Sequence, residues 1–177
     1  EESIGIVCRL IKTLSTILPS GQQKFPHVSD WLVTLNKDWD IPRTYLEKSR
    51  KQRDHLLGTS KKLLLLHGDL HHGNVLKNGE DWLLIDPKGV FGELTYEVAA
   101  FIRNPMPELI ESANLVNLIT TRILTFASLL NLDKERIRQW CFVQAVLAWC
   151  WSLEDGFDPA YFKHLTEVFD GLSFDFS

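Results

Sequence analysis

The stretch His67 to Asn74, which reads HGDLHHGN, contains the densest group of polar side chains in the sequence. It follows four consecutive leucines, Leu63 to Leu66, and precedes a second apolar segment that begins at Val75. An apolar run of four residues is short for a helix and is typical of a buried strand. The sequence therefore predicts a polar loop between two strands, which is a common position for catalytic side chains.

A β-hairpin is predicted directly after this loop. Val75 to Lys77 and Trp82 to Ile85 are strand-like, and the connection Asn78 to Asp81 contains an Asn-Gly pair that favours the positive φ angles of a tight turn. Asp86 follows the second of these strands. Antiparallel pairing is therefore expected to bring Asp86 back toward Asn74.

Apolar residues at helical spacing lie on both sides of this β insert. The predicted helices are Ile4 to Leu18, Ser29 to Leu35 with Ser29 as its cap, Pro42 to Leu57, Thr95 to Arg103, Glu108 to Leu130, Asp133 to Leu153 and Asp158 to Asp170. The helix from Asp133 is apolar on nearly all sides and is expected to lie centrally. The predicted fold class is mostly α with a small central β-hairpin.

Length, charge and composition limit the class of protein. A chain of 177 residues with 45% hydrophobic residues is expected to form one domain with a buried core. Its 19 Lys and Arg against 23 Asp and Glu argue against a nucleic-acid binder that neutralises phosphates. Its most apolar stretch, Cys141 to Leu153, is shorter than the roughly 20 residues that cross a membrane. The three cysteines form no C-x-x-C pair, which favours reduced thiols and a cytoplasmic location.

Asp69, Asn74 and Asp86 together supply the side chains that phosphoryl transfer needs. One carboxylate can orient the attacking hydroxyl and accept its proton, and the two other residues offer oxygen ligands for Mg²⁺. Their order and spacing also match those of the catalytic loop and the metal-binding segment of kinases.

At these residues the sequence resembles the aminoglycoside phosphotransferases and related antibiotic kinases, which share the kinase fold. Residues 67–74 match the H-G-D-L-H-x-x-N loop of that family. Residues 82–89 (WLLIDPKG), with 96–99 (YEVA) behind them, are especially similar to the streptomycin 6-kinase and hydroxyurea-kinase subgroup. The resemblance implies an ATP-dependent kinase that phosphorylates a hydroxyl of a small molecule, such as an aminoglycoside or hydroxyurea.

The resemblance also implies roles for individual residues. Asp69 would be the catalytic base, and Asn74 and Asp86 would be the magnesium ligands. His71 is expected either to face the phosphates or to lie in solvent, and Lys88 either to neutralise phosphate charge or to be an exposed turn lysine. His67 is expected to be structural, through a hydrogen bond to the backbone near Asp86.

The N-terminal half of the kinase fold has no counterpart in the sequence. No Gly-rich phosphate loop and no strand lysine with a helical Glu partner precede residue 60. Residues 1–177 are therefore expected to form a single kinase-like C-terminal lobe, without the nucleotide lobe and inactive alone. The alternative is a catalytically silent interaction module with this lobe.

Two further interpretations concern metal and substrate. The pattern His67-x-Asp69-x-His71-His72 resembles a zinc or iron site of a hydrolase or oxygenase, for which His164 is the one downstream candidate to close the ligand set. The segment 154–177 has six Asp and Glu residues against one lysine. Such a segment would attract a polycation such as an aminoglycoside, or would simply be a solvated helix end and tail.

Overall fold

The computed structural model of the protein describes residues 2–16 and 24–174. The helices are α1 (Glu2–Leu14), α2 (Val28–Leu32), α3 (Arg43–Gly58), α4 (Leu94–Ile102), α5 (Leu115–Leu130), α6 (Lys134–Glu154) and α7 (Ala160–Gly171). The strands are β1 (Leu64–Leu66), β2 (Val75–Asn78), β3 (Asp81–Leu84) and β4 (Val90–Gly92). Short 3₁₀ turns lie at Val33–Asn36, His72–Asn74 and Glu108–Glu111. The expectation of a mostly α fold with a central hairpin is confirmed.

Helix α6 occupies the centre of the molecule, as its apolar sequence predicts. Helices α3, α4, α5 and α7 all pack against it. Its side chains Trp140, Phe142 and Val146 are fully buried. A helix that is apolar on every side is stable only when neighbours cover it on every side. Within the described residues, no helix is long and apolar enough to span a membrane.

The predicted hairpin forms from β2 and β3, which pair antiparallel with Val75 opposite Leu84 and Asn78 opposite Asp81. The pairing continues one step further, because the Ile85 N–H donates to the Asn74 carbonyl at 3.1 Å. Asp86 is the next residue after this contact. The prediction that the hairpin returns Asp86 to the neighbourhood of Asn74 is confirmed.

Strand β1 forms where four leucines predict it, but its partner, β4, was not predicted. The two strands pair antiparallel, with Leu64 opposite Gly92 and Leu66 opposite Val90. Three residues are too few for a periodic pattern to reveal a strand. A Cβ atom on Gly92 would lie 2.7 Å from a methyl group of Val28. Glycine at this position therefore allows α2 to lie directly against the sheet.

The predicted continuous helix from Glu108 to Leu130 is wrong. The chain forms a 3₁₀ turn at Glu108–Glu111, and α5 begins only at Leu115. Ser112 lies between them with an extended backbone, and its hydroxyl accepts the Asn114 N–H at 3.3 Å. A serine side chain that bonds the nearby backbone in this way competes with helical hydrogen bonding.

Two helix ends also differ from expectation. His27, and not Ser29, caps α2. Its ring Nδ1 accepts the backbone N–H of Ser29 at 3.2 Å, and its backbone N–H donates to the Asp30 carboxylate at 2.8 Å. Helix α1 ends at Leu14, whereas Ile17 and Leu18 of the predicted helix lie outside the described residues. The last helix begins close to its predicted start: the Asp158 carboxylate accepts the Ala160 N–H at 2.9 Å, but Pro159 and not Asp158 is the N-cap residue of α7.

A buried ion pair connects α3, α4 and α6. Arg136 donates to both carboxylate oxygens of Glu93, at 2.8 and 2.9 Å, and also bonds the Thr59 hydroxyl and the Leu56 carbonyl. The indole N–H of Trp140 donates to the same carboxylate. Only 11% of the Glu93 side chain and 19% of the Arg136 side chain are exposed. This pair determines how α4, which lies behind the polar loop, is held against α6.

We expect Glu93→Ala to lower the free energy of unfolding by about 3–5 kcal/mol, because it leaves the Arg136 charge buried without its partner. Glu47→Ala is the matched control, since Glu47 pairs with Arg43 at the surface and the loss of such a pair costs less than about 1 kcal/mol. Urea unfolding monitored by circular dichroism measures both variants. Equal losses of stability in the two variants would contradict a structural role for the buried pair.

Candidate active site

The buried His67 connects the polar loop to the segment that follows the hairpin. Its Nε2 donates to the Ile85 carbonyl at 2.8 Å, and its Nδ1 accepts the Asp69 N–H at 3.3 Å. Its backbone carbonyl accepts the Lys88 N–H at 2.8 Å. Burial lowers the pKa of His67, which favours the neutral ring with one donor and one acceptor. The interpretation of His67 as a structural residue that bonds the backbone next to Asp86 is confirmed.

Gly68 allows the loop to pass close to its neighbours. Its φ angle is +85°, and a Cβ atom there would lie 2.8 Å from Val90 and 2.9 Å from Trp31. Its N–H donates to the carboxylate of Glu97 on α4, at 3.2 and 3.4 Å. Glu97 is 2% exposed, and this burial raises its pKa to about 7. A glycine and a buried carboxyl group therefore fix the backbone immediately before Asp69.

Asn74 lies at the other end of the loop and is 7% exposed. Its amide nitrogen donates to the Asp69 carbonyl at 2.8 Å and lies 3.2 Å from Nε2 of His71. Since the nitrogen makes these contacts, the amide oxygen of Asn74 is the atom that remains available to a ligand. Nε2 of His71 also lies 3.8 Å from the Asp69 carboxylate. The loop therefore brings Asp69, His71 and Asn74 together.

Asp86 adopts a left-handed backbone conformation, with φ of +54°. Residues other than glycine rarely adopt this conformation, and it is frequent at functional sites. The Asp86 carboxylate is exposed and lies 2.6 Å from Nζ of Lys88. This hydrogen bond lowers the pKa of Asp86 and raises that of Lys88. Lys88 is therefore an exposed lysine whose ammonium group is paired with the second acidic residue of the site.

Asn74 and Asp86 fit a magnesium ion by the chemistry of their donors. An amide oxygen and a carboxylate are the hard oxygen ligands that Mg²⁺ prefers. The histidine rings of the loop are not arranged as the ligands of a zinc or iron site. His67 bonds the backbone, and the ring of His72 stacks on Phe101 with 3.9 Å between ring centroids. Within residues 2–16 and 24–174, no three His, Cys, Asp or Glu side chains are placed to share a metal ion.

A cleft of about 330 Å³ opens beside Asp69. Its aromatic and charged lining consists of Trp31, Tyr96, Trp151, Asp69, Lys88 and Arg103. Only Asp69 and Lys88 of this set were predicted as site residues. The others belong to helices distant in sequence from the loop, and their local patterns carry no signal for a common cleft.

The acidic residues near the C-terminus contact other parts of the surface. Glu154 pairs with Lys37 at 2.6 Å, and Asp170 pairs with Lys48 at 2.5 Å. None of the acidic residues in 154–174 lines the cleft beside Asp69, and Asp175 lies outside the described residues. In the described part of this segment, the charge that was expected to attract a polycation is therefore not in the cleft.

Two streptomycin kinases and a hydroxyurea phosphotransferase are similar to part of the chain. The chain is 33% identical over 106 residues to the streptomycin 3''-kinase of Klebsiella pneumoniae, a match that covers 57% of this chain and 39% of that protein. It is 30% identical over 100 residues to the streptomycin 6-kinase of Streptomyces glaucescens, covering 54% and 33%. It is 36% identical over 93 residues to the hydroxyurea phosphotransferase of Kitasatospora aureofaciens, covering 52% and 25%. The matched part is thus less than two fifths of each relative.

Solved structures support the fold independently. A choline/ethanolamine kinase family protein from Mesorhizobium loti matches 95% of this chain and 60% of its own, with a TM-score of 0.63 and 15% identity. The choline kinase of Cryptosporidium parvum Iowa II matches 93% of this chain and 64% of its own, with a TM-score of 0.54 and 15% identity. The chain therefore has a kinase-like fold, as its resemblance to antibiotic kinases implies.

The family described as aminoglycoside/hydroxyurea antibiotic resistance kinase matches residues 6–156, which include both the polar loop and the hairpin. These residues are most of the chain, and the relatives named above are kinases of the same kind. The chain belongs to the aminoglycoside/hydroxyurea antibiotic resistance kinase family.

Proposed function

We propose that this chain is the catalytic half of a kinase that transfers the γ-phosphate of ATP to a hydroxyl group of a small molecule. The observation that supports the proposal is the pair of hydrogen bonds made by the His67 ring. One ring nitrogen accepts the Asp69 N–H, and the other bonds the carbonyl of Ile85, the residue before Asp86. The family assignment supports the same class of reaction.

In this proposal Asp69 orients the acceptor hydroxyl and accepts its proton. Its carboxylate is partly exposed and lines the cleft, so an acceptor can reach it. The Asp69 N–H bonds His67 and its carbonyl bonds Asn74, which holds the residue at both backbone groups. Such fixed positioning is the main contribution that a protein makes to phosphoryl transfer.

Asn74 and Asp86 would hold Mg²⁺, which would neutralise charge on the phosphates of ATP. His71 and Lys88 lie next to these residues and would contact phosphate oxygens. Lys88 already holds the Asp86 carboxylate at 2.6 Å. Its ammonium group therefore also keeps Asp86 in its charged form.

We further propose that a nucleotide-binding lobe completes the enzyme. The sequence shows no Gly-rich phosphate loop and no strand lysine before residue 60. The chain also matches at most 39% of the length of the two streptomycin kinases and the hydroxyurea phosphotransferase. The three groups at the loop and hairpin cannot fix ATP without the groups that a nucleotide lobe supplies.

The acceptor belongs to the class of small hydroxyl compounds, for which streptomycin and hydroxyurea are the first candidates because relatives are named for them. We place the enzyme in the cytoplasm, where ATP is available and where the three buried cysteines would stay reduced.

We expect the 177-residue chain alone to show no turnover, and fusion to the N-terminal lobe of an intact relative to restore ATP-dependent phosphorylation. In the fused enzyme, Asp69→Asn should lower kcat by about 10²- to 10⁴-fold, because the hydroxyl loses its proton acceptor. Asp81→Asn, the same change at the exposed hairpin end, is the control and should leave kcat unchanged. A fused enzyme that is indifferent to Asp69→Asn would refute the catalytic assignment.

The same fused enzyme tests the metal ligands. Asp86→Asn should raise the Mg²⁺ concentration for half-maximal activity by at least about tenfold, since even outer-shell changes commonly cost about 10- to 100-fold in metal affinity. Kinetics at a series of Mg²⁺ concentrations measure this shift, with Asp81→Asn again as the control. An unchanged Mg²⁺ dependence in Asp86→Asn would exclude Asp86 as a ligand.

Glu97 bonds the loop at Gly68, and the raised pKa of its buried carboxyl group predicts that stability depends on pH. Its pKa is about 7 in the folded protein against an ordinary value of 4.5, so the native state retains a proton that the unfolded state releases. This stabilisation is complete below about pH 4.5 and is lost as the pH rises to about 7. Compared with Glu97→Gln, the wild type should lose about 3 kcal/mol of unfolding free energy across this range. Parallel pH profiles from urea unfolding would contradict the prediction.

A further inference from the structure

Arg103 lines the cleft beside Asp69. Its guanidinium group has no hydrogen-bond partner among the residues that the structure describes. Its Nε is buried and unpartnered, and its guanidinium makes no ion pair with residues 2–16 or 24–174. The nearby Arg122 differs, because it donates to the carbonyls of Ile102 and Asn104. A buried donor without an acceptor is costly, and a water molecule, an ion or a ligand that accepts its hydrogen bond removes this cost.

Packing holds Arg103 in place. Its guanidinium lies 5.9 Å from the ring centroid of Phe162 on α7. Its backbone carbonyl accepts the hydroxyl hydrogen of Tyr161 at 2.6 Å, so α7 fixes the residue that directly follows the end of α4. The arginine is therefore presented to the cleft by neutral contacts, and its charge and its donors remain available to a ligand.

The charged groups of the cleft indicate the sign of the ligand. Asp69 is the one carboxylate among the described residues that line it, whereas Lys88 and Arg103 are both cationic. Lys88 is paired with Asp86, so Arg103 is the cation of this wall that has no acidic partner among the described residues. The positive charge of Arg103 would repel a polycation. A ligand with an acceptor oxygen would instead accept hydrogen bonds from the guanidinium group.

Resting on the proposed function, we propose that Arg103 determines acceptor specificity. It binds a carboxylate or carbonyl oxygen of the molecule whose hydroxyl meets Asp69, and it selects against polycationic acceptors. The aromatic side chains of Trp31, Tyr96 and Trp151 suit a flat or apolar body between these two ends. A volume of about 330 Å³ is at the lower end of the range for ligand pockets, roughly 300–1,000 Å³, and suits a small acceptor.

Three benzyl alcohols with one skeleton and different charge test this inference. They are para-(hydroxymethyl)benzoate, para-(hydroxymethyl)benzamide and para-(aminomethyl)benzyl alcohol, titrated into the chain by isothermal titration calorimetry. The benzoate and the benzamide should bind at least about tenfold more tightly than the ammonium compound. Only they offer Arg103 a carboxylate or carbonyl oxygen at the end of the ring opposite the hydroxyl group. Streptomycin is a polycation and should bind no better than the ammonium compound. The inference therefore narrows the two candidate acceptors of the proposed function to the neutral hydroxyurea, which has a carbonyl oxygen.

Arg103→Met should lower the affinity for the benzoate by about tenfold. It should leave the affinity for the ammonium compound unchanged or slightly higher. Arg43→Met removes the same charge from the surface, where the Arg43 side chain is 90% exposed, and should change none of the affinities. Arg103→Gln provides a second uncharged variant that keeps a polar end, and Arg103→Lys should retain part of the preference for the benzoate. Circular dichroism verifies the fold of each variant.

Three results would overturn the inference. The ammonium compound could bind more tightly than the benzoate, the preference for the benzoate could persist in Arg103→Met and Arg103→Gln, or none of the three compounds could bind. These titrations contain no ATP and need no turnover. Failure of the fused enzyme to phosphorylate any acceptor would therefore count against the proposed function alone, whereas a wrong ligand preference would count against Arg103 alone.

Discussion

The hydrogen bonds of the buried His67 are the contacts on which the site depends. The ring donates to the Ile85 carbonyl on one side and accepts the Asp69 N–H on the other. This arrangement requires a neutral imidazole, and burial favours that form. One side chain thereby fixes the distance between the polar loop and the residue that precedes Asp86. Without this side chain, the two halves of the candidate site would be joined only by backbone contacts, namely the hairpin, the pairing of β1 with β4 and the hydrogen bond from the Lys88 N–H to the His67 carbonyl.

The surrounding structure restrains this crossing from several directions. Strand β1 ends just before His67, and β4 begins just after Lys88 and Gly89. Because β1 and β4 pair, the two segments that meet at His67 are both connected to the same small sheet. Helix α4 contributes the carboxyl group of Glu97 to the N–H of Gly68. The buried pair of Glu93 and Arg136 then holds α4 to α6. A site held by fixed neighbours in this way is suited to a reaction in which positioning is the main source of rate enhancement.

The parts of the fold that were predicted from sequence depend on local signals. The Asn-Gly pair determines the hairpin, and the apolar surface of α6 determines its central place. Strand β4 is too short to have a recognisable period, and the break at Ser112 depends on one hydroxyl. Asp69, Asn74 and Asp86 could be proposed because they lie within twenty residues of one another.

Arg103, Trp31 and Trp151 could not be assigned to the cleft from sequence. They come from three different helical regions and meet only through long-range packing. No periodicity distinguishes an arginine that lines a cleft from one that caps a helix end or lies in solvent. The family resemblance likewise identified the residues of its own motif and carried no information on this wall.

The central claim is that Asn74 and Asp86 share one metal site beside Asp69. Its most direct measurement is manganese-induced line broadening in the amide NMR spectrum of the fused enzyme, whose nucleotide lobe binds ATP. The account predicts that the signals of Asn74 and Asp86 broaden together and at the lowest Mn²⁺ concentration, while Gly79 at the hairpin turn stays sharp. Broadening at only one of the two residues, or first near the exposed Asp155, would contradict it.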